Sequence, residues 1–383
     1  MAPFRLAWQQ LIHDRLKLLA GVAGVVFAVM LMFMQLGFKD ALFDSATAVQ
    51  RNLSGDLFLV HRQTEALWRP IPFARRRIAQ ALAVPGVQSA TEVYAGLGSW
   101  RNPWNARKRT ILVLACPPGS GVFHFPGVAE HTADLRMAHS ALFDRRSHAA
   151  FGPIPVALTT NDTVAVHLAD RRLWVRGTFD LGASFAADGN LIMSELDFLR
   201  HFPGRRMDEA DLGVLTLAPG TDLQQAKRGV AALMPMEIRV LDRQDFIRLE
   251  RSYWEEVTPI GFIFSLGTVM GFVVGVVVVY QVLFTEVNNH LPQYATLKAM
   301  GYTNRFLNSL VASAALILAV LGFIPGLLVA AGLYHLARSA TFLPMTLLDG
   351  KPALVFTLTL VMCLISGGLA LRKLMAADPA EMF

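Results

Sequence analysis

Four long apolar runs organise the chain: residues 18–38, 260–284, 307–336 and 353–371. Each is long enough to cross a bilayer, because about twenty helical residues rising roughly 1.5 Å each span a hydrocarbon core of roughly 30 Å. The third run is longer than a crossing needs and carries Pro325, so a tilt or kink is expected there. The first run is too long for the roughly 7–15 residues of a signal-peptide core. Ala46-Thr47-Ala48, which resembles a cleavage site, also lies far beyond it. It is read as a retained span.

The polar stretches divide by period. Residues 4–17 place Phe4, Trp8 and Leu11 on one stripe, as in an amphipathic helix lying along the inner membrane surface. Past the first span, Leu42, Ala46, Val49 and Leu53 recur at spacings of three and four. Before the second span, Phe246, Leu249, Tyr253 and Val257 do the same. These stripes predict stalk helices that pack on each other beyond the bilayer. Gly267, Gly271 and Gly275 lie four apart on one face of the second span. Small residues at that spacing let helices approach closely in lipid, either within the chain or between two copies of it.

Between the second and third spans lies EVNNHLPQYATLKAMGYTNR, residues 286–305. Leu291, Tyr294, Leu297, Lys298 and Gly301 repeat every three or four positions, which predicts a short helix with one presented face. Gly301 is placed as its stop. Leu291, Tyr294, Leu297 and Met300 form the expected apolar contact, with Glu286, His290 and Lys298 at its polar edge. A soluble partner can push on such a helix.

Residues 39–259 form one large insertion after the first span. Short β-branched and Leu-rich runs predict strands at 56–61, 110–114, 164–168, 173–177, 190–193 and 214–217. Helices are expected at 73–83, 195–202 and 223–234, with Ser194 and Thr221 or Asp222 as N-caps. Asp170-Arg171 suggests a hairpin turn. The predicted fold is a four-helix membrane protein carrying a large α+β extracytoplasmic domain between helices 1 and 2. The full order is 1–17 amphipathic helix, 18–38 first span, 39–259 outer domain with stalks, 260–284 second span and 285–306 coupling helix. Then come 307–336 third span, 337–352 outer loop, 353–371 fourth span and 372–383 tail.

Composition agrees: 54% of the 383 residues are hydrophobic and only 17% charged, too apolar for an ordinary soluble chain. The net charge of +6 is spread along the sequence and is explained by basic flanks of spans, so nucleic acid is not an expected partner. Arg5, Arg15, Lys17, Lys298, Arg305, Arg372 and Lys373 fall on one side of the predicted topology, against Arg338 and Lys351 on the other. The positive-inside rule then places both termini and residues 285–306 in the cytoplasm of an inner-membrane, multi-pass protein. No disulfide is expected between Cys116 and Cys363.

Motifs for chemistry are missing. No G-x-x-x-x-G-K-[ST] holds a nucleotide and no H-E-x-x-H holds zinc. Residues 182–186 fail the nucleophile-elbow pattern at its last position. His124, His131, His139 and His148, with Asp134 and Asp144 nearby, have spacings that match no metal site. The spans carry almost no ionisable side chain, which disfavours a self-powered ion-coupled carrier. The chain is not expected to be an enzyme.

The opening LAWQQLIHDRLKLLAGVAGVVFAVMLMFMQLGFKDALFDS, the block LGASFAADGNLIMSELDFLRHFP, the segment HLPQYATLKAMGY and the final DPAE resemble the FtsX/MacB-like superfamily of ABC permeases, most closely its DevC-type members. The resemblance implies a homodimer bound to a separate ABC ATPase, which would hold ATP and magnesium while this chain binds no cofactor. It also implies a membrane-fusion adaptor and an outer-membrane channel as partners, with lipid or glycolipid cargo. Two other roles exist among such relatives: an FtsX-like mechanical regulator of a cell-wall hydrolase, and Lol-type lipoprotein release.

Overall fold

The computed structural model describes residues 3–182, 186–290, 293, 296, 300–341, 345–347 and 350–375. In chain order the first elements are α1 (Pro3–His13), α2 (Arg15–Ala46), α3 (Ala48–Asn52), β1 (Leu57–His61), β2 (Phe73–Ala74), α4 (Arg76–Ala81), β3 (Val87–Arg101) and β4 (Lys108–Cys116). There follow β5 (Ser140–Asp144), α5 (Ile154–Thr160), β6 (Val164–Leu168), β7 (Arg171–Phe179), β8 (Asn190–Ser194), α6 (Glu195–His201), β9 (Glu209–Ala210) and β10 (Leu212–Leu217). The last are α7 (Leu223–Leu233), β11 (Ile238–Asp242), α8 (Arg243–Ser252), α9 (Pro259–Asn289), α10 (Asn304–Thr341) and α11 (Lys351–Met375). The chain forms two units, one from its start to Ala41 and from Ile260 onward, the other from Leu42–Pro259.

The first unit is helical. Four of its helices are long and apolar enough to cross a membrane, over Arg15–Ala46, Pro259–Asn289, Arg305–Arg338 and Lys351–Arg372. In lipid a helix pairs every backbone N–H and C=O internally, which is why unbroken apolar runs take this form. α10 continues through Pro325 without interruption. Val25, Ala28, Val29, Met32 and Phe33 of α2 are fully buried. The Tyr334 hydroxyl of α10 donates to the Phe33 carbonyl, so a buried polar group is satisfied by backbone that α2 leaves accessible. Lys351, 4% exposed, pairs with Asp40 at 3.1 Å and donates to the Thr346 carbonyl at 2.9 Å.

The expected stripe of α1 divides between two surroundings. Phe4 and Trp8 are exposed, while Leu11 is buried together with Ala7. Ala7 and Leu11 pack with Val287, Leu307, Leu310 and Leu371. Leu11 thus belongs to a face that packs within the protein, where small Ala7 admits close helix approach, while Phe4 and Trp8 stay on the exposed side.

The second unit is built on a nine-stranded sheet ordered β11-β1-β10-β3-β4-β8-β5-β7-β6. β3 pairs β10 through its first half, β4 through its second, and β6 at Trp100 and Arg101. This last pairing closes β3, β4, β8, β5, β7 and β6 into a ring and leaves β10, β1 and β11 as an open wing. The sheet is mixed: β4 with β8 and β5 with β7 are parallel. Both faces are covered. Leu57 and Leu59 of β1 enter one core, while Phe58 enters the other, as the two-residue period of a strand requires.

Six strands fall where short apolar runs predict them, and helices α6 and α7 start at their predicted caps. Ser194 Oγ accepts from Asp197 N at 3.2 Å and Asp222 Oδ1 from Gln225 N at 2.6 Å. Two readings are corrected. Residues 73–83 are not one helix: Phe73–Ala74 pair with β9 before α4 begins. The hairpin turn is centred on Ala169 and Asp170, not Asp170 and Arg171, with φ of 50° and 59°. Two successive left-handed residues match the right-handed twist of the flanking strands.

Candidate functional site

The coupling segment begins where α9 ends. Glu286 is 7% exposed, and its Oε1 lies 3.0 Å from His290 Nε2, one helical turn on. His290 Nδ1 is buried without a hydrogen-bond partner. Val287 belongs to the cluster that holds α1, α10 and α11 together. Met300 is 63% exposed and Gly301 has φ +90°, a left-handed conformation that glycine adopts without the cost a Cβ would bring. Leu291, Tyr294, Leu297 and Lys298 lie outside the described residues.

The sequence does not reveal that α1 flanks this segment. Leu6, Gln9 and His13 face His290, Gln293 and Met300 across an open pocket of ≈ 950 Å³. Gln10 Nε2 reaches Gln293 Oε1 at 3.4 Å. The missed signal is Ala7 beside Leu11, a small-plus-apolar pair on the helix face opposite the polar one.

The three glycines of α9 face the same chain. A Cβ on Gly267 would meet Gln35, one on Gly271 would lie 3.3 Å from Leu31 Cβ, and one on Gly275 would lie 2.7 Å from Ala28 Cβ and press on Met362. α2 and α11 thus occupy this face, so it is not free for a second copy. The opposite stripe of α9, including Phe262, Ile263, Leu266, Val269 and Met270, is exposed.

In the second unit the two stalk stripes come together. Leu42, Ala46, Val49, Leu53 and Phe246 are buried, Leu249 and Tyr253 are half-buried, and Val257 is 60% exposed. Val257 leaves the stripe because Tyr253–Val257 form a π-helical turn, which shifts the register of the face. A polar clasp joins the stalks. Glu250 accepts from Gln50 Nε2 at 2.8 Å, Leu67 N at 2.8 Å and Trp254 Nε1 at 3.2 Å. Burial pushes its carboxyl up to about 7 against those stabilising donors. The Arg243 guanidinium caps the end of α3, donating to the carbonyls of Arg51 at 3.0 Å, Leu53 at 2.7 Å and Gly55 at 2.7 Å. No sequence signal marked Glu250 or Arg243, since each sits in an ordinary charged helix.

The histidines do not converge. His131 Nδ1 lies 2.8 Å from Asp134, and His148 Nδ1 accepts from Ala150 N at 3.1 Å. Asp144 accepts from the backbone of Arg146, Leu181 and Gly182 and from Asn190 Nδ2, fixing a loop. Among the described residues no group of three His, Cys, Asp or Glu side chains is arranged to hold a metal.

Residues 265–379 match the FtsX-like permease C-terminal family. That stretch holds most of the second span, the coupling segment and the third and fourth spans. No curated protein matches the sequence. Among solved structures, the extracellular domain of the noncanonic ABC-type transporter YknZ from Gram-positive bacteria is similar at 11% identity and TM-score 0.34, over 49% of this chain and 99% of that one. The periplasmic region of MacB from Actinobacillus actinomycetemcomitans aligns at 9% identity and TM-score 0.36, over 51% and 92%. A domain of a putative permease protein from Porphyromonas gingivalis aligns at 13% identity and TM-score 0.32, over 50% and 88%. Likenesses of this size decide nothing about function or partners.

Proposed function

We propose that the chain is the permease subunit of an ABC exporter, converting ATP turnover by a separate ATPase into movement of its extracytoplasmic domain. The observation that carries this reading is the FtsX-like permease match over residues 265–379. Spans almost free of ionisable groups support it, because they make a poor polar conduit but a serviceable lever. Residues 285–306 receive the push. Val287 ties the start of that segment to the helical bundle, and the Glu286–His290 pair braces the end of α9, so displacement there shifts α9 and its neighbours instead of bending a loose loop. Magnesium and ATP belong to the partner. The finer reading is a DevC-type homodimer working with a membrane-fusion adaptor and outer-membrane channel, exporting lipid or glycolipid.

The test is the double variant Tyr294→Ala, Leu297→Asp, co-reconstituted with the ATPase. The stimulation of ATP hydrolysis by the permease falls to the basal rate while membrane expression is retained. Stimulation equal to wild type overturns the assignment of the coupling helix.

A further inference from the structure

The second unit holds a basic pocket that none of the stalk residues lines. It is an open depression of ≈ 830 Å³ where the loop before β5, the start of β7 and the end of α6 meet, lined by His139, Arg171, Arg172, Trp174, Arg200 and His201. Three arginines line it, and one of them, Arg200, pairs with the carboxylate of Asp197. That carboxylate is fully buried and already committed: it pairs with Arg200 at 2.9 Å and accepts from His139 N at 3.0 Å and Ser140 N at 3.2 Å. Arg171 donates to the Arg200 carbonyl at 2.6 Å, and the Arg172 guanidinium lies 4.3 Å above the Trp174 ring. Among the described residues neither Arg171 nor Arg172 pairs with a carboxylate. Their positive charge is held in place and unneutralised.

His201 adds a second, independent requirement. It is 2% exposed, and its Nδ1 lies 2.8 Å from the Asp197 carbonyl oxygen. A carbonyl only accepts, so Nδ1 carries the hydrogen. Burial holds the ring below the usual histidine range, which keeps it neutral. Nε2 is then an acceptor, and it has no partner. A buried acceptor left unmet is costly, and a ligand donor that reaches it recovers that cost.

We propose that this pocket binds a phosphate monoester carrying an adjacent hydroxyl, the shared chemistry of a soluble sugar phosphate and a phosphorylated sugar headgroup on a lipid. The phosphate dianion sits against Arg171, Arg172 and Arg200, whose planar forks match its oxygens. The hydroxyl donates to His201 Nε2. Packing on Trp174, on Asp197 and on the Arg200 carbonyl restrains the three guanidinium groups beforehand and lowers the ordering cost of binding. The site is independent of the permease reading.

The full chain in phosphatidylcholine nanodiscs is titrated calorimetrically with glucose 1-phosphate, inorganic phosphate and sulfate. Phosphatidylcholine vesicles with and without phosphatidylinositol 4-phosphate form the lipid arm. Glucose 1-phosphate binds more tightly than phosphate, and phosphate more tightly than sulfate; or the vesicles bind only when they carry the phosphorylated headgroup. Either result supports the site and identifies the source. Arg171→Ala with Arg172→Ala weakens binding at least about tenfold with an unchanged melting temperature, since both side chains are exposed. His201→Asn retains an N–H for the Asp197 carbonyl and removes Nε2. It weakens glucose 1-phosphate more than inorganic phosphate. No binding in either arm, or binding that the double arginine variant leaves intact, overturns the proposal.

Discussion

Glu250 is held by three neutral donors at a depth where a carboxylate is expensive. Its carboxyl titrates at about 7 in the fold against an ordinary 4.5. Below about pH 4.5 folded and unfolded chains both hold the proton. As pH rises toward 7 the unfolded chain releases it first, so stability falls across that window and levels off above it. The total is on the order of 3 kcal/mol. Asp211, pushed up to about 6 by burial beside Arg205, adds a loss of the same sign. Glu250→Gln is expected to flatten the part of the slope due to Glu250, while costing stability through its mispaired amide N–H. Melting followed by the emission of Trp68 and Trp254, which stack at 6.2 Å beside the clasp, measures it from pH 4.5 to 8. A wild-type midpoint constant over that range contradicts the account. None of this was legible beforehand: Glu250 follows Leu249 in a charged helix, and only the fold reveals that it faces Gln50.

The elements were legible where local chemistry agrees with tertiary demand. β6 matches its predicted span of 164–168 because Val164, Val166 and Leu168 alternate inward. β3, the longest strand, went unseen for a physical reason. Gly96 and Gly98 interrupt its pattern, and its partners change along its length, from β10 in the first half to β4 in the second, joined by β6 at Trp100 and Arg101. A Cβ on Gly98 would lie 2.7 Å from Leu168, so the residue that weakens the strand signal also lets the ring close. The α9 glycines show the converse: their spacing predicted close packing, but could not name the partner. Because Ala28 stands 2.7 Å from where a Gly275 Cβ would be, Gly275→Leu must push α2 away from α9. The bundle is expected to lose on the order of 2 kcal/mol, in the range for overpacked sites, with a lower melting temperature in detergent. Val269→Leu, on the exposed stripe of the same helix, is the control and leaves it unchanged. Equal melting of the two variants contradicts the assigned packing.

The division into a membrane unit and a large inserted unit follows from four apolar runs and one long gap between them, which is why it was the most readable level of the molecule. Sidedness depends on charge. Basic residues flank the termini and the 285–306 segment, and the positive-inside rule predicts a cytoplasmic location for them, with the inserted unit outside. Cysteine labelling tests this directly. Both native thiols are buried, and desolvation pushes Cys116 up to about 12, leaving almost no reactive thiolate. Background labelling is therefore low. A membrane-impermeant maleimide is expected to label Gln224→Cys, at an exposed position on α7, in intact spheroplasts. Lys298→Cys is expected to react only after permeabilisation. The pair matters more than either variant alone: a soluble ATPase has access to residue 298 only from the cytoplasm, and an extracytoplasmic ligand has access to the Arg171 pocket only from the other side. Labelling of Lys298→Cys in intact spheroplasts removes the coupling segment from the ATPase and ends the permease reading, while leaving phosphate-monoester binding to be decided by calorimetry alone.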